Sequence, residues 1–353
     1  MDLRVFYSSA QGASHIRKNK ECQDYSGSYC DDTCAIAIVC DGHGGDDYVR
    51  SGIGSKIACE VAKKNIITFI KDTKAEVLNE NADERLMRLE ASIISGWGRS
   101  VRQHFDDHPF TDEELKDVSS KARKKYEEGE IEGAYGTTLI AVAMTEDYWF
   151  GLQIGDGKCV AVTRESQFGK PIPRNDKCFL NATTSICDID ALANFRHRYS
   201  QKLPAAIFVG SDGTDDSFSN DEQLYGLYRT IVYSFGTTDF DEAKKDLEDY
   251  LPRLSAKGSG DDVSIAAIFD MNAVAELRIV KDFDPEKEKA RIAEAEKREA
   301  EKRESERKET EQREAEQRKT EQKETECRET GMQSAAREQA DGAVSDSAAS
   351  IRR

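Results

Sequence analysis

The sequence predicts an α+β domain with a sheet-rich core, followed by a highly charged tail. Three observations predict it. Seven apolar runs of strand length lie within the first 270 residues. Two long stretches of helical periodicity stand together in a block and do not alternate with those strands. Past residue 283, apolar residues almost vanish. Strands and helices segregated in this way imply α+β architecture.

The runs follow in order. "LRVFYS" opens the chain, and "TCAIAIVC" ends at Cys40 as a candidate buried strand. A helix is expected over roughly 47–71, where Ile53, Ile57 and Val61 form one stripe. A second is expected over roughly 84–105, with Leu86, Leu89, Ile93, Trp97 and Val101 on one face. Residues 111–130 are highly charged and read as an exposed helix or loop. "TTLIAVAM", "YWFGLQI" and "KCVAVTR" are separated by short turns, as in an antiparallel meander. "AAIFVGS" and "VSIAAIF" complete the set.

Composition narrows the function. The chain has 353 residues and a net charge of −17. Nucleic-acid binding needs basic patches, so it is not expected. The N-terminus lacks a basic then apolar leader, and no apolar run nears the roughly 18 residues of a membrane span. The nine cysteines form no CxxC pair and several sit inside strand-like runs (Cys34, Cys40, Cys159). That reads as reduced, buried thiols of a cytoplasmic protein, without zinc spacing.

The predicted division is a domain over 1–283, a charged repeat over 284–330 and a disordered end over 331–353. From 284 to 353 there are 17 basic and 20 acidic residues, so −14 of the −17 belongs to the first 283. The repeat has a period of five, "EKREA EKRES ERKET EQREA" and onward, which builds no heptad seam. Glu299 with Arg303, Glu304 with Lys308, Glu309 with Arg313 and Glu314 with Arg318 stand at i, i+4. Each such pair stabilises a helix by roughly 0.2–0.5 kcal/mol. A solvated single helix of about 50 residues and about 70 Å is one reading; a disordered polyampholyte is the other.

The chemistry is at the strand ends. "IAIVCDGHGGDD" ends an apolar run at Asp41 and continues with glycines. "AIFVGSDGTDD" does the same at Asp212, "FGLQIGDGK" at Asp156, and "GSGDDVSIAAIF" places Asp261 and Asp262 before a strand. "KECQDYSG" adds Asp24. One Asp-Gly is ordinarily a turn. Several converging carboxylates cannot all stay ionised without a cation. Hard oxygen donors suit Mg²⁺ or Mn²⁺. A calcium loop starting at Asp212 fails, because Ser217 and Gln223 stand where Gly and Glu are needed.

Together, "CQD" at Asp24, "DGHGG" at 41–45, "YGTT" at 135–138, "GDG" at 155–157, "SDG" with Asp216 four residues after Asp212, and "DDVS" at 261–264 form an ordered set. In that order they resemble the metal-dependent type 2C Ser/Thr protein phosphatases over about residues 8–270. The opening "GASHIRKNKECQD" looks most like the bacterial branch. The resemblance implies a sandwich of two antiparallel β-sheets flanked on both sides by helices.

It also implies roles. Asp41 would bridge two Mg²⁺ or Mn²⁺ ions, helped by the carbonyl of Gly42. Asp212 and Asp261 would complete one ion's carboxylates, and Asp24 would orient metal-bound waters. Asp156 and Asp216, with Asp212, match a third, weaker metal position. His43 would be the general acid for a Ser or Thr alkoxide. The sequence departs from the family at Gln23, where many members carry Glu, and at Asn19, where the phosphate-binding Arg is usual. Arg17 or Lys18 is the expected substitute, with a surface charge as the alternative. The implied partners are phosphorylated proteins and an opposing Ser/Thr kinase. A pseudophosphatase whose tail recruits partners, and a phosphatase for small esters, are the competing readings.

Overall fold

The computed structural model describes residues 1–173 and 183–282, with scattered positions from 284 to 301. Met1–Lys289 forms one compact unit and Ala290–Arg353 a second. The expectations for the charged repeat and the C-terminal end lie almost wholly outside the described residues.

Among the described residues, ten strands form two sheets: β1 (Leu3–Ala10), β2 (Tyr25–Cys30), β3 (Cys34–Cys40), β4 (Leu139–Thr145), β5 (Trp149–Ile154), β6 (Lys158–Val162), β7 (Phe168–Gly169), β8 (Arg196–Ser200), β9 (Ala206–Gly210) and β10 (Val263–Asp270). One sheet runs β1-β10-β9-β6-β7 and the other β2-β3-β4-β5-β8. Their neighbouring strands are antiparallel.

The apolar runs are continuous because both faces of the central strands are buried. In β3, Ala35, Ala37 and Val39 pack between the sheets against Ile207, Val209, Ala266 and Ile268. The alternate residues Ile36, Ile38 and Cys40 face α1 (Ser51–Asp72) and α2 (Ala82–Asp107). The period-two alternation of side chains sends every second residue to a different core. On the far side, Phe6, Phe208 and Phe269 pack under α3 (Asp221–Thr237) and α4 (Phe240–Lys257). Fully burying one such side chain contributes about 1.5–3 kcal/mol. The result is the four-layer sandwich that the resemblance implies.

The meander expectation needs a correction. β4 and β5 do pair, but β6 pairs with β9 in the opposite sheet. The turn "GDG" therefore carries the chain from one sheet to the other. Gly155 makes the crossing with φ +103, a left-handed conformation that costs glycine little.

Candidate metal centre and active site

The five acidic strand ends singled out in the sequence fall at the same end of the sandwich. Asp24 precedes β2, Asp41 follows β3, Asp156 sits in the β5–β6 turn, Asp212 follows β9, and Asp261 precedes β10. Antiparallel pairing fixes this: Tyr25 lies opposite Cys40, and Ile265 opposite Gly210.

Asp41 is held through its backbone. Its N–H donates to Thr138 Oγ1 at 3.1 Å, and its carbonyl accepts from Thr138 N–H and Thr137 Oγ1, both at 2.8 Å. This is the structural work of "YGTT". The next residue, Gly42, donates its N–H to the Gln23 carbonyl at 3.2 Å. A Cβ there would lie 2.5 Å from that same oxygen, so only glycine fits.

The carboxylates crowd one another. Burial, then Asp262, pushes Asp24 up to about 8. Burial, then Asp24 and Asp212, raises Asp41 well above the ordinary carboxylate range. Asp212 is pushed up to about 6 by burial, with Asp156 and Asp261 adding to the rise. Asp24 Oδ2 is buried with no hydrogen-bond partner. An orphaned carboxylate oxygen among raised acids fits a cation-binding role.

A cavity of about 390 Å³ is lined by Asp24, Asp41, His43, Asp156, Asp212 and Asp261, among others. His43 N–H donates to the Gly136 carbonyl at 3.1 Å, and its ring meets Tyr48 edge-on at 4.7 Å. Burial lowers the His43 pKa, while Asp188 and Asp156 pull it up. A larger groove of about 960 Å³ between α1 and α2 shares no residue with this cavity.

The protein phosphatase 2C family profile matches residues 11–252, more than half the chain. The chain belongs to the protein phosphatase 2C family. No curated protein matches this phosphatase 2C chain. Among solved structures, it is similar to the catalytic domain of the Ser/Thr phosphatase PstP in complex with two manganese ions. Identity there is 15%, over 76% of this chain and 97% of that one, with a TM-score of 0.46. It is similar to Stp1 from Staphylococcus aureus at 14% identity, over 76% and 95%, with a TM-score of 0.48. It is also similar to PppA, described as a key regulatory component of T6SS in Pseudomonas aeruginosa, at 16% identity, over 76% and 98%, with a TM-score of 0.48.

Within this phosphatase 2C chain, Asp24, Asp41, Gly42, His43, Asp156, Asp212 and Asp261 all line the cavity. Asp216 does not; it is exposed, at the C-terminal end of the short helix Asp212–Asp215. Arg17 does not either. It is exposed on the helix Ala13–Lys18, two residues and about 200° around from His15, which does face the cavity. The all-oxygen set of Asp24, Asp41, Asp212, Asp261 and the Gly42 carbonyl fits Mg²⁺ or Mn²⁺.

Sequence reading assigns no role to His15 or Asp262. Asp262 is buried and accepts the N–H groups of Gly12 at 2.6 Å and Gln23 at 2.7 Å. It pins the N-terminal segment to the start of β10 from the buried wall of the cavity, which its more exposed neighbour Asp261 also lines. The doublet "DD" gives no local sign of this division.

Proposed function

We propose that the chain is a Mg²⁺- or Mn²⁺-dependent phosphatase for phosphoserine and phosphothreonine on proteins. The observation that carries this reading is the convergence of five acidic strand ends on one cavity, with Asp24 Oδ2 left unpartnered. Asp41, the Gly42 carbonyl, Asp212 and Asp261 would hold two ions, and Asp24 would orient water between them. Asp156 and Asp216, with Asp212, would hold a third ion more weakly. When bound, such ions generate hydroxide from water near neutral pH and neutralise phosphate oxygens.

The chain's own residues supply the rest. The Thr137 and Thr138 clamp keeps Asp41 from swinging with the loop that follows it. His43, held by Gly136 and Tyr48, would protonate the leaving alkoxide. A lowered pKa makes its protonated form the stronger acid. His43→Gln is expected to slow phosphothreonine hydrolysis about 10²-fold or more. The loss on p-nitrophenyl phosphate should be far smaller, because that leaving group needs no proton. Equal losses on the two substrates would remove His43 from the acid role.

The acidic domain favours basic sequence around the phosphorylated residue. A Ser/Thr kinase acting on the same proteins is the implied opposing partner. No described helix is long and apolar enough to cross a membrane, and seven described cysteines are free. The free cysteines support placement in the cytoplasm. The charged tail is read as a spacer or docking arm. A chain ending at residue 283 is expected to keep full turnover of a small phosphate ester; a collapse in folded protein would make the tail part of the enzyme.

The test is hydrolysis of a phosphothreonine peptide with Mn²⁺, with Mg²⁺ and with EDTA. Turnover that requires metal supports the reading. No turnover from folded protein under any condition would favour a binding module instead. That module would follow from loss of Asp41, Asp212 or Asp261, and all three are present.

A further inference from the structure

We propose that His15 is a nitrogen donor to the cation held by Asp261, adding an imidazole to a site otherwise built of oxygens. The inference rests on the metal-dependent reading above, and it concerns a residue to which that reading gives no part.

The fold delivers the ring to the site. The helix Ala13–Lys18 is fastened to the turn that carries Asp261. Ser14 N–H donates to the Gly260 carbonyl at 2.8 Å, Ala13 N–H to Ser255 Oγ at 2.9 Å, and Gly12 N–H to Asp262 Oδ1 at 2.6 Å. These three contacts tie residues near the N-terminus to residues some 240 positions away. They leave His15 only 12% exposed, on the wall of the acidic cavity.

The ring then lies between two carboxylates of unlike character. Nδ1 is 3.0 Å from Asp262 Oδ1, and Nε2 is 3.4 Å from Asp261 Oδ1. Asp262 is 4% exposed and already accepts two backbone N–H groups, so it has little to offer an ion. Asp261 is 54% exposed and accepts a single backbone N–H, from Asp262 at 2.8 Å. Asp262 lies beside Nδ1 without a hydrogen bond to it, so Nδ1 is buried and unpartnered, and Nε2 faces the carboxylate that would share the ion. One donor atom each from His15, Asp261 and Asp262 lie within 4.8 Å of one another.

A second observation points to an ion in the same cavity. Asp24, 7% exposed, aims an oxygen there with no hydrogen-bond partner. It comes from a different strand and does not depend on the His15 contacts. The consequence is selectivity. Imidazole suits transition ions, whereas Mg²⁺ keeps to oxygen. His15 would therefore raise affinity for Mn²⁺ relative to Mg²⁺.

The experiment is electron spin echo envelope modulation on the full chain loaded with Mn²⁺, beside titrations of Mn²⁺ and Mg²⁺. Nitrogen-14 modulation is expected in the wild type, lost in His15→Gln and kept in His43→Gln. The Mn²⁺ dissociation constant is expected to rise about tenfold or more in His15→Gln, with the Mg²⁺ constant little changed. Ring-¹⁵N histidine labelling of the native sequence reads the same contact if His15→Gln does not fold. Mn²⁺ bound without nitrogen modulation, or modulation that survives His15→Gln, overturns this inference alone. Folded protein that binds no Mn²⁺ overturns the metal-dependent reading and this inference with it.

Discussion

Asp212→Asn is expected to lower phosphothreonine turnover on the order of 10³-fold while raising the melting temperature of the metal-free protein. The first effect follows from charge. Asp212 stands at the start of the short helix after β9, and its charge is one of those that raise Asp41. Asn keeps the shape and one oxygen but cannot neutralise an ion that must in turn stabilise a phosphoryl transition state. Losing one preorganised electrostatic partner of this kind typically costs 10²–10³-fold, and in the proposed centre Asp212 would hold an ion together with Asp41 and Asp261. The second effect has the opposite sign for the same reason. Without metal, ionised Asp212 is repelled by Asp156, Asp261 and Asp216. Removing that charge relieves the fold. Kinetics with Mn²⁺ and thermal melts in EDTA measure both. Turnover within tenfold of wild type would take Asp212 out of the metal set.

The metal-free protein is also expected to lose stability as pH rises from about 4 to about 8. A carboxyl whose folded pKa exceeds its unfolded value takes up protons on folding. Its contribution is complete below the unfolded value, near 3.9 for Asp, and is lost as pH climbs through the folded one. Asp212 is pushed up to about 6 and Asp24 to about 8, which sets the window. Glu114 behaves oppositely. The Arg50 guanidinium holds it down to about 2, so its contribution disappears only in acid, below this range. His197, raised by Glu90, adds a same-sign loss from its own ordinary value upward. Asp24→Asn separates the two, because it flattens only the carboxylate part. In EDTA the melting temperature should fall by about 5 °C or more between pH 5 and 8, at roughly 2–4 °C per kcal/mol for a domain of this size. Millimolar Mn²⁺ should abolish the fall, since bound cations replace the protons. A profile that is flat or rises in EDTA would mean the acids do not repel one another as described.

The parts of this molecule that could be read in advance share one physical trait. β3 and β4 announce themselves because both their faces are buried, so nearly every residue is apolar. The acids that follow such runs stand out because charge there has no packing reason to exist. β2 and β8, "YSGSYC" and "RHRYS", carry polar residues, and β8 lies at a sheet edge, so no strand pattern is visible. α4 holds Pro252 in its interior, which argues against a helix on local grounds; tertiary packing of Leu247, Leu251 and Leu254 overrides it. His15 and Asp262 are 247 positions apart in a chain whose local pattern says nothing of their meeting. The pairing of β1 with β10, together with the contacts of Gly12, Ala13 and Ser14, brings them together.

The glycine crossover between β5 and β6 has a mechanical meaning. Asp24 and Asp41 belong to one sheet, Asp212 and Asp261 to the other, and Asp156 rides the bridge between them. An ion held by this group would be a rivet through two layers that otherwise meet through packed side chains such as Ala37, Met144, Trp149 and Val209 and through the Ser9–Ser26 hydrogen bond. Sliding one layer against the other would spread the rivet hole before it disturbed any strand. Mn²⁺ affinity is thus a gauge of how the layers are stacked, and an enlarging substitution at Ala37, away from every acid, should register on it.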